Sequence, residues 1–468
     1  MVTGLKQKAV KAIKVEHSDE PATAWGGAAL IERLALRLGL WDRLDQRLAP
    51  RQGRFDWLTV VKSATHGLLT GARGTYATEA VRGDAALQRL LGFETNAPAE
   101  VTFWRCLESL GEATATEALR ENQFDWTRRI LDRCSRKELF VEGFFPLFGD
   151  GTILEGSRRR EGTKFHKDKK PGLLWTTLFA GPLVACQELA APGRGEQSAI
   201  RSMLSDVVEN VLRPLRFEKR ALLLLDSLHG DGPTLDEVER VAMRYVIGAN
   251  KLSRTAAILA EQPGAVWQDT GPRAALGWEE SAVCECWIQC EGWSRKRLLI
   301  GRRWRSQGEF VYQYSGVMTN LTHADVAPMM KRGMSFAEAI WRLYDYKAGC
   351  ENYYKDLLDD LGLHHPPCQE HVRNAAFYAL GAMAHTLGRA VDLIGGRSTE
   401  RGRKTRNDGA PRRRPKPKRM RLWRLRRELL AIPARIVRRA RTARVKTLGL
   451  GPDLQAEFDR YWRQICRC

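Results

Sequence analysis

Long hydrophobic runs are missing from this 468-residue chain. No stretch approaches the roughly 18 uncharged apolar residues that a spanning helix needs, so a transmembrane helix is excluded. The N-terminal MVTGLKQKAVKAIKVEHSDE is basic, but no apolar run follows it. A secretory signal is therefore excluded, and a cytosolic protein is expected. CxxC pairs are absent too. The ten cysteines lie scattered at 106, 134, 186, 284, 286, 290, 350, 368, 466 and 468. In a reducing compartment most of them are expected to be small buried side chains. Cys284, Cys286 and Cys290 alternate along SAVCECWIQC as on a strand. His364, His365, Cys368 and His371 form HHPPCQEH, which two prolines interrupt. A strand in the first case and a polar turn before a helix in the second are preferred to a metal site. No internal repeat is evident. Negative charge is short: 76 Lys and Arg face 55 Asp and Glu, a net +21. That balance points to a polyanionic partner, nucleic acid first and an anionic membrane surface second. With 43% hydrophobic residues the chain can bury a core, and wholesale disorder is excluded.

The positive charge is concentrated. Residues 397–446 hold 21 Lys and Arg against Glu400, Asp408 and Glu428, a net +18 of the chain's +21. The first part, RSTERGRKTRNDGAPRRRPKPKRM, reads as a flexible basic linker. In the second part Leu422, Leu425, Leu429 and Leu430 recur at helical spacing, and Ile432, Ile436 and Val437 continue the apolar set past a Pro433 break. The tail therefore carries packed structure. Its arginines, with Arg412, Arg413, Arg414, Arg438 and Arg439 as candidates, suit contact with a phosphate backbone.

Upstream, residues 25–136 read as all helical. Leu30, Ile31, Leu34, Leu38 and Leu40 make one stripe, and Trp57, Val60, Val61, Ala64 and Leu68 another. This is a candidate DNA-binding domain, although nothing in the stripes reads bases. LFVEGFFPLFGDGTI reads as a strand ending at Asp150. LLWTTLFAGPLVACQEL is a hairpin turning at Gly181-Pro182. A helix follows at 197–212, then ALLLLD as a strand buried on both faces and ending on Asp226. TLDEVERVAM is a short helix with Thr234 as candidate cap, and RYVIGAN is another strand. Residues 251–330 alternate as an antiparallel β region. A long helix is expected from Ser335 to Leu361, and HVRNAAFYALGAMAHTLGRAVDLI is a buried one.

This order sets the first and fourth strands side by side, and with them Asp150 and Asp226. A helix packed on the sheet brings Glu351 as a third acid. Three clustered carboxylates repel one another unless a cation neutralises them. Oxygen-only ligands suit Mg²⁺ or Mn²⁺, and two such ions clamp a phosphodiester for in-line displacement. Taken singly, each acid reads more simply as a turn, cap or solvated residue.

The letters around the acids resemble those of the DDE transposases of bacterial insertion sequences. FGDGT around Asp150 looks like the first-aspartate motif and LLLLDS around Asp226 like the second. VMTNL at 317–321 looks like the strand leading out of the family's β insertion. YDYKAGCENYYK resembles the glutamate signature, with Tyr344, Lys347 and Glu351 at its spacings. The basic tail with GPDLQAEF is also similar, so the resemblance covers residues 25–468.

Several positions depart from the family pattern. Lys347 stands where Arg is usual. Leu358 takes the place of the signature's later Lys, for which Lys355 is a substitute on the same helix face. Leu224 lies where relatives often carry Arg. Asp-Ser-Leu-His replaces Asp-Ser-Gly-Phe.

The resemblance implies an α/β fold: a ribonuclease-H-like mixed sheet core with a β-rich insertion, an all-α N-terminal domain and a basic C-terminal tail. It divides the chain into a disordered basic N-terminus (1–24), the helical domain (25–136), the first part of the core (137–250), the insertion (251–330), the core helices carrying the glutamate (331–395), the linker (396–420) and the basic C-terminal segment (421–468). It implies cut-and-paste transposition, with Asp150, Asp226 and Glu351 as catalytic residues holding two Mg²⁺ or Mn²⁺ ions. Double-stranded DNA, as terminal inverted repeats and as target, is the implied partner, bound by a homodimer. Lys347, Lys355 and Tyr344 would touch phosphate, as would Arg158, Arg159 and Arg160 after the first strand. Trp278, Trp287 and Trp293 are candidates to stack on an unpaired base, with core packing preferred for at least two. His229, just after Asp226, is a candidate to assist in the site, with a surface-loop role preferred. Three other readings remain open: a DNA-binding relic without catalysis, a basic RNA-binding or ribosome-associated protein, and, more weakly, a simple nuclease on the same core that cuts without strand joining.

Overall fold

Among the described residues, eight α-helices between Ala28 and Leu139 precede the first long strand. Their apolar stripes are the buried faces: Leu30, Ile31, Leu34, Val60, Val61, Ala64 and Leu68 are each at most 1% exposed. Asp56 caps the helix Trp57–Thr70 by accepting from Thr59 N at 2.6 Å. The structure, a computed structural model, describes residues 20–51, 53–165, 171–191, 194–249, 253–291, 293–396, 419–439 and 442–468.

The core elements are β1 (Phe145–Glu155), β2 (Pro171–Ala180), β3 (Leu183–Leu189), α1 (Glu196–Val207), β4 (Ala221–Leu225), α2 (Gly232–Arg240) and β5 (Arg244–Gly248). The β region follows with β6 (Trp278–Ile288), β7 (Arg297–Ser306) and β8 (Gln313–Thr319). Then come α3 (Phe336–Tyr344), α4 (Glu351–Lys355), α5 (His371–Gly395) and, near the C-terminus, α6 (Pro452–Arg467).

All the core strands join one ten-stranded mixed sheet. Its order runs β2, β1, β4, β5, β8, β7, β6, with β3 beyond β2. β1 pairs antiparallel with β2 and parallel with β4, and β4 pairs parallel with β5. β8 closes antiparallel on β5, so the strands of the β region extend the same sheet. Every residue of β4 is buried, as its unbroken apolar run requires. α5 is buried almost all round and packs against both the sheet and the N-terminal helices.

Five expectations need correction. β1 does not end at Asp150. It runs on to Glu155 because β2 stays in register beside it, Asp150 opposite Thr177 and Glu155 opposite Gly172. α2 begins at Gly232 after Asp231, so Thr234 lies inside it, buried and accepting from Arg201 Nη1 at 3.2 Å. The long helix expected from Ser335 breaks after Tyr344 into a 3₁₀ stretch, Asp345–Cys350, before α4 and a final π turn at Asp356–Asp360. Gly349 within it weakens α-helical continuity. Past Pro433 the apolar set forms a strand rather than a helix: Ala434–Arg439 pairs with Thr442–Thr447. Alternate burial of Ala434 and Ile436 is the period of a strand. Of the N-terminal 1–24 segment only residues 20–24 are described, and there Ala22–Thr23 pairs antiparallel with Ala434 and Arg435. Most of the 396–420 linker, including Arg412, Arg413 and Arg414, lies outside the described residues.

Candidate active site

Asp150 is fixed by strand pairing. The parallel register sets Phe148 opposite Leu224, and two residues further on each strand direction lead to Asp150 and Asp226. Close packing around Asp150 depends on glycine at both sides. A Cβ on Gly149 would lie 2.7 Å from Ile200 Cδ1, and one on Gly151 would lie 2.4 Å from Glu196 Oε2. Asp226 follows the last residue of β4, where its Oδ1 accepts from Leu228 N at 2.9 Å. Burial pushes the Asp150 carboxyl up to about 6. Lys347 opposes that rise, while Asp226 and Glu196 add to it. The two aspartates therefore share one electrostatic site.

Lys347 enters from the 3₁₀ stretch, with its Nζ 3.7 Å from Asp150 Oδ2. Tyr344 enters at the end of α3; its hydroxyl oxygen reaches within 2.7 Å of where a Gly248 Cβ would stand. Burial, then Asp226 and Asp150, push its hydroxyl up to about 12, so it stays protonated and able to donate. Tyr354 donates to the Asp150 backbone oxygen at 2.5 Å and contacts the Thr177 hydroxyl.

Glu196 escaped the sequence reading, and for His229 that reading preferred a surface loop to a place in the site. Glu196, at the start of α1, accepts from Gly151 N at 2.8 Å and from His229 Nε2 at 2.8 Å. His229 is fully buried, not a surface-loop residue, and its Nε2 lies 3.9 Å from Asp226 Oδ1. Glu196 thus links the backbone beside Asp150 to the side chain beside Asp226. The signal available was the departure itself: His stands where relatives of the resembled family carry Phe, and a buried His needs a polar partner.

Glu351 is not brought into this cluster. It is exposed at the first position of α4. Its neighbour Cys350 is buried, and burial, then the Asp150 charge, raises that thiol's pKa while Lys347 opposes the rise. An α-helix would hold Tyr344 and Glu351 on one face. The six residues of 3₁₀ helix turn about 20° further per residue, a drift of roughly 120° that rotates Glu351 away. Among the described residues no three His, Cys, Asp or Glu side chains form a group able to hold a metal ion. The donor chemistry nevertheless fits a hard divalent cation. The donors are oxygen only, and Asp150 is partly buried beside like charges with Lys347 as its nearby cation.

The remaining candidates are dispersed. Lys355 is exposed on α4. Arg158 lies over the Phe165 ring at 4.9 Å and Arg159 is exposed, but Arg160 Nε donates to the Cys368 carbonyl at 2.8 Å. Arg438 and Arg439 lie in the strand Ala434–Arg439. Trp278 stacks on Trp304 with centroids 5.0 Å apart, and the Arg297 guanidinium covers Trp293 at 5.2 Å. Trp287 is 68% exposed and is the one of the three with a free face. The HHPPCQEH segment forms the turn into α5, with Cys368 buried and His371 Nε2 3.1 Å from the Ala190 carbonyl.

Fold and site together define an α/β protein with two aspartates on adjacent parallel strands, flanked by a lysine and a protonated tyrosine. The chain belongs to the transposase family described as Transposase DDE domain group 1, which matches residues 5–453. No curated protein matches it. Among solved structures it is similar to a piggyBac transposase in a synaptic complex with hairpin DNA. That similarity is at 10% identity and a TM-score of 0.38, covering 77% of this chain and 71% of that chain.

Proposed function

We propose that this transposase carries out cut-and-paste transposition of an insertion sequence. It would cleave and join DNA at terminal inverted repeats with Mg²⁺ or Mn²⁺. The observation that supports this most is the pairing of Asp150 with Asp226 on adjacent parallel strands, with Lys347 beside them. We read the sheet β1–β5 with its helices as a ribonuclease-H-like core, residues 251–330 as its insertion, and residues 25–136 as a helical domain that approaches DNA.

Asp150, Asp226 and Glu351 would hold two divalent ions, with Glu351 turning in from its exposed position. The ions supply Lewis-acid activation and charge neutralisation at the scissile phosphate. The chain's own residues do the rest. Lys347 sets a positive charge against a non-bridging phosphate oxygen, and the protonated Tyr344 hydroxyl donates to another. Glu196 and His229 keep the two aspartates at a fixed separation. Water attacks the phosphorus and displaces the 3′-oxygen of one strand end. The freed 3′-hydroxyl then attacks the phosphorus of a second phosphodiester, either opposite (a hairpin route) or in the target, and the new P–O bond forms as that phosphodiester's own 3′-oxygen leaves. A homodimer bridging the two ends completes the reading.

The test is a labelled duplex carrying the element's own end and flank, incubated with Mg²⁺ or Mn²⁺. Wild type should nick at the boundary. Asp226→Asn should lose nicking at least 100-fold, as expected for removal of a metal-holding group, while binding the duplex within threefold of wild type. Tight binding with no cleavage by wild type in either metal would leave a DNA-binding relic instead.

A further inference from the structure

Far along the chain from the carboxylates, the N-terminal helices carry a charged feature for which the strand-cleavage chemistry has no use. A cavity of about 220 Å³ is lined by Arg51, Arg54, Arg82, Asn96 and Thr102 together with Phe55, Ala97 and Ala99, and by no acid. Three pieces of chain build it. Arg51 and Arg54 lie in the loop before the helix Trp57–Thr70, Arg82 ends the helix Ala77–Arg82, and Asn96 and Thr102 flank the start of the helix Glu100–Gly111. Arg51 is held in place: Nη1 donates to the Phe55 carbonyl at 2.8 Å, and the guanidinium lies 5.3 Å over the Trp57 ring. Arg54 lies 5.5 Å over the Phe55 ring. Aromatic faces thus orient two flat guanidinium groups before any ligand arrives.

Counter-charge is scarce here. Among the described residues neither Arg51 nor Arg54 pairs with a carboxylate. Arg82 has Glu79 at 3.5 Å, and that Glu79 oxygen also accepts from Glu100 N at 2.8 Å. Three cations facing one concavity repel one another, and an anion bound between them removes that cost. Guanidinium forks match the oxygens of a phosphate, and Asn96 and Thr102 in the lining add neutral donors.

We propose that this arginine notch is a phosphate-binding site that grips a backbone phosphodiester of duplex DNA. The choice of DNA as the source of the phosphate rests on the transposase reading; the anion chemistry does not. A site of this kind positions DNA without reading sequence. It would hold the duplex through the N-terminal helices while another stretch reaches the carboxylates.

The experiment measures duplex binding by fluorescence anisotropy between 50 and 300 mM salt, without metal, so that no cleavage intervenes. Arg54 and Arg82 are both exposed, so their replacement leaves the core intact. Arg54→Ala/Arg82→Ala should weaken binding about tenfold or more, equally for an element end and an unrelated duplex. It should also flatten the slope of log Kobs against log salt by about 2. Arg54→Lys/Arg82→Lys should restore the slope but only part of the affinity, since charge returns without the fork. A double alanine variant with wild-type affinity and slope would overturn the proposal. So would thermal stabilisation by millimolar inorganic phosphate that the double variant loses while its DNA binding is unchanged, because the notch would then serve free phosphate. Nicking is scored separately. A notch effect on binding without metal-dependent nicking keeps the site and rejects the strand-cleavage activity; nicking without a notch effect does the reverse.

Discussion

Asp150 shows how a single residue's surroundings depend on its neighbours in sequence. Glycines before and after it let α1 and β4 approach, and that approach buries its carboxyl. The pairing of Asp150 with Asp226 was legible because strand order and an unbroken apolar run before each acid suffice to predict adjacent strands. Glu196 was not legible: an acid in the first turn of an amphipathic helix has the same pattern whether it faces water or a buried histidine. The raised Asp150 pKa has a measurable sign. Folding raises the pKa from its ordinary value of 3.8 to about 6. In the metal-free protein the ionised carboxyl therefore costs stability above pH 6, and the cost vanishes as pH falls through 3.8. Asp150→Asn should stabilise the metal-free protein by about 1–2 kcal/mol at pH 8, after allowance for partial solvent exposure, and by little at pH 4. Denaturant titration at the two pH values checks this; equal effects at both would contradict it.

At the scale of elements, local period predicted most of what formed. The hairpin at Gly181, the buried strand β4 and the all-round apolar α5 stand where their patterns put them. The failures came where one pattern fits two structures. Residues 335–361 carry a helical period throughout, but nothing in the period shows that six residues tighten to 3₁₀, and that change decides which way Glu351 faces. Ile436 and Val437 looked helical after Leu430, whereas pairing with Thr442–Thr447 made them a strand. The segment after Glu351 is tied down by buried charge. Asp356, fully buried, accepts from Arg421 Nε at 2.8 Å and Leu422 N at 3.2 Å and also contacts Arg389, itself 2% exposed. Arg421 further reaches Asp360 at 2.7 Å. Asp356→Ala leaves the Arg389 charge buried without this partner, so it should cost about 3–5 kcal/mol in chemical denaturation. A loss under about 1 kcal/mol would mean the network is dispensable.

Across the whole molecule, the first described segment, from Glu20 onward, meets the C-terminal segment. Gly26 and Gly27 let the N-terminal segment lie against the backbone at Leu429, Leu430 and Ile432, where a Gly27 Cβ would stand 1.7 Å from the Leu429 oxygen. Ala22–Thr23 pairs with the strand Ala434–Arg439, and α6 buries Tyr461 and Ile465 in the common core. Composition had marked the C-terminal segment as basic. It could not show that this segment also completes the N-terminal helices, because such contacts depend on the path of the intervening chain rather than on local pattern. The same limit hid the arginine notch, whose members come from three separate pieces of chain. No helix among the described residues is long and apolar enough to cross a membrane.

In the proposed reaction, divalent ions held by Asp150, Asp226 and Glu351 would act directly on a DNA phosphate. The most direct test replaces one non-bridging oxygen of the scissile phosphate with sulfur. Mg²⁺ binds sulfur poorly and Mn²⁺ tolerates it. Nicking of the sulfur-substituted end should fall about tenfold or more in Mg²⁺ and recover in Mn²⁺, with unsubstituted DNA cut in both. Equal nicking of both substrates in Mg²⁺, or a loss that Mn²⁺ does not restore, would contradict it.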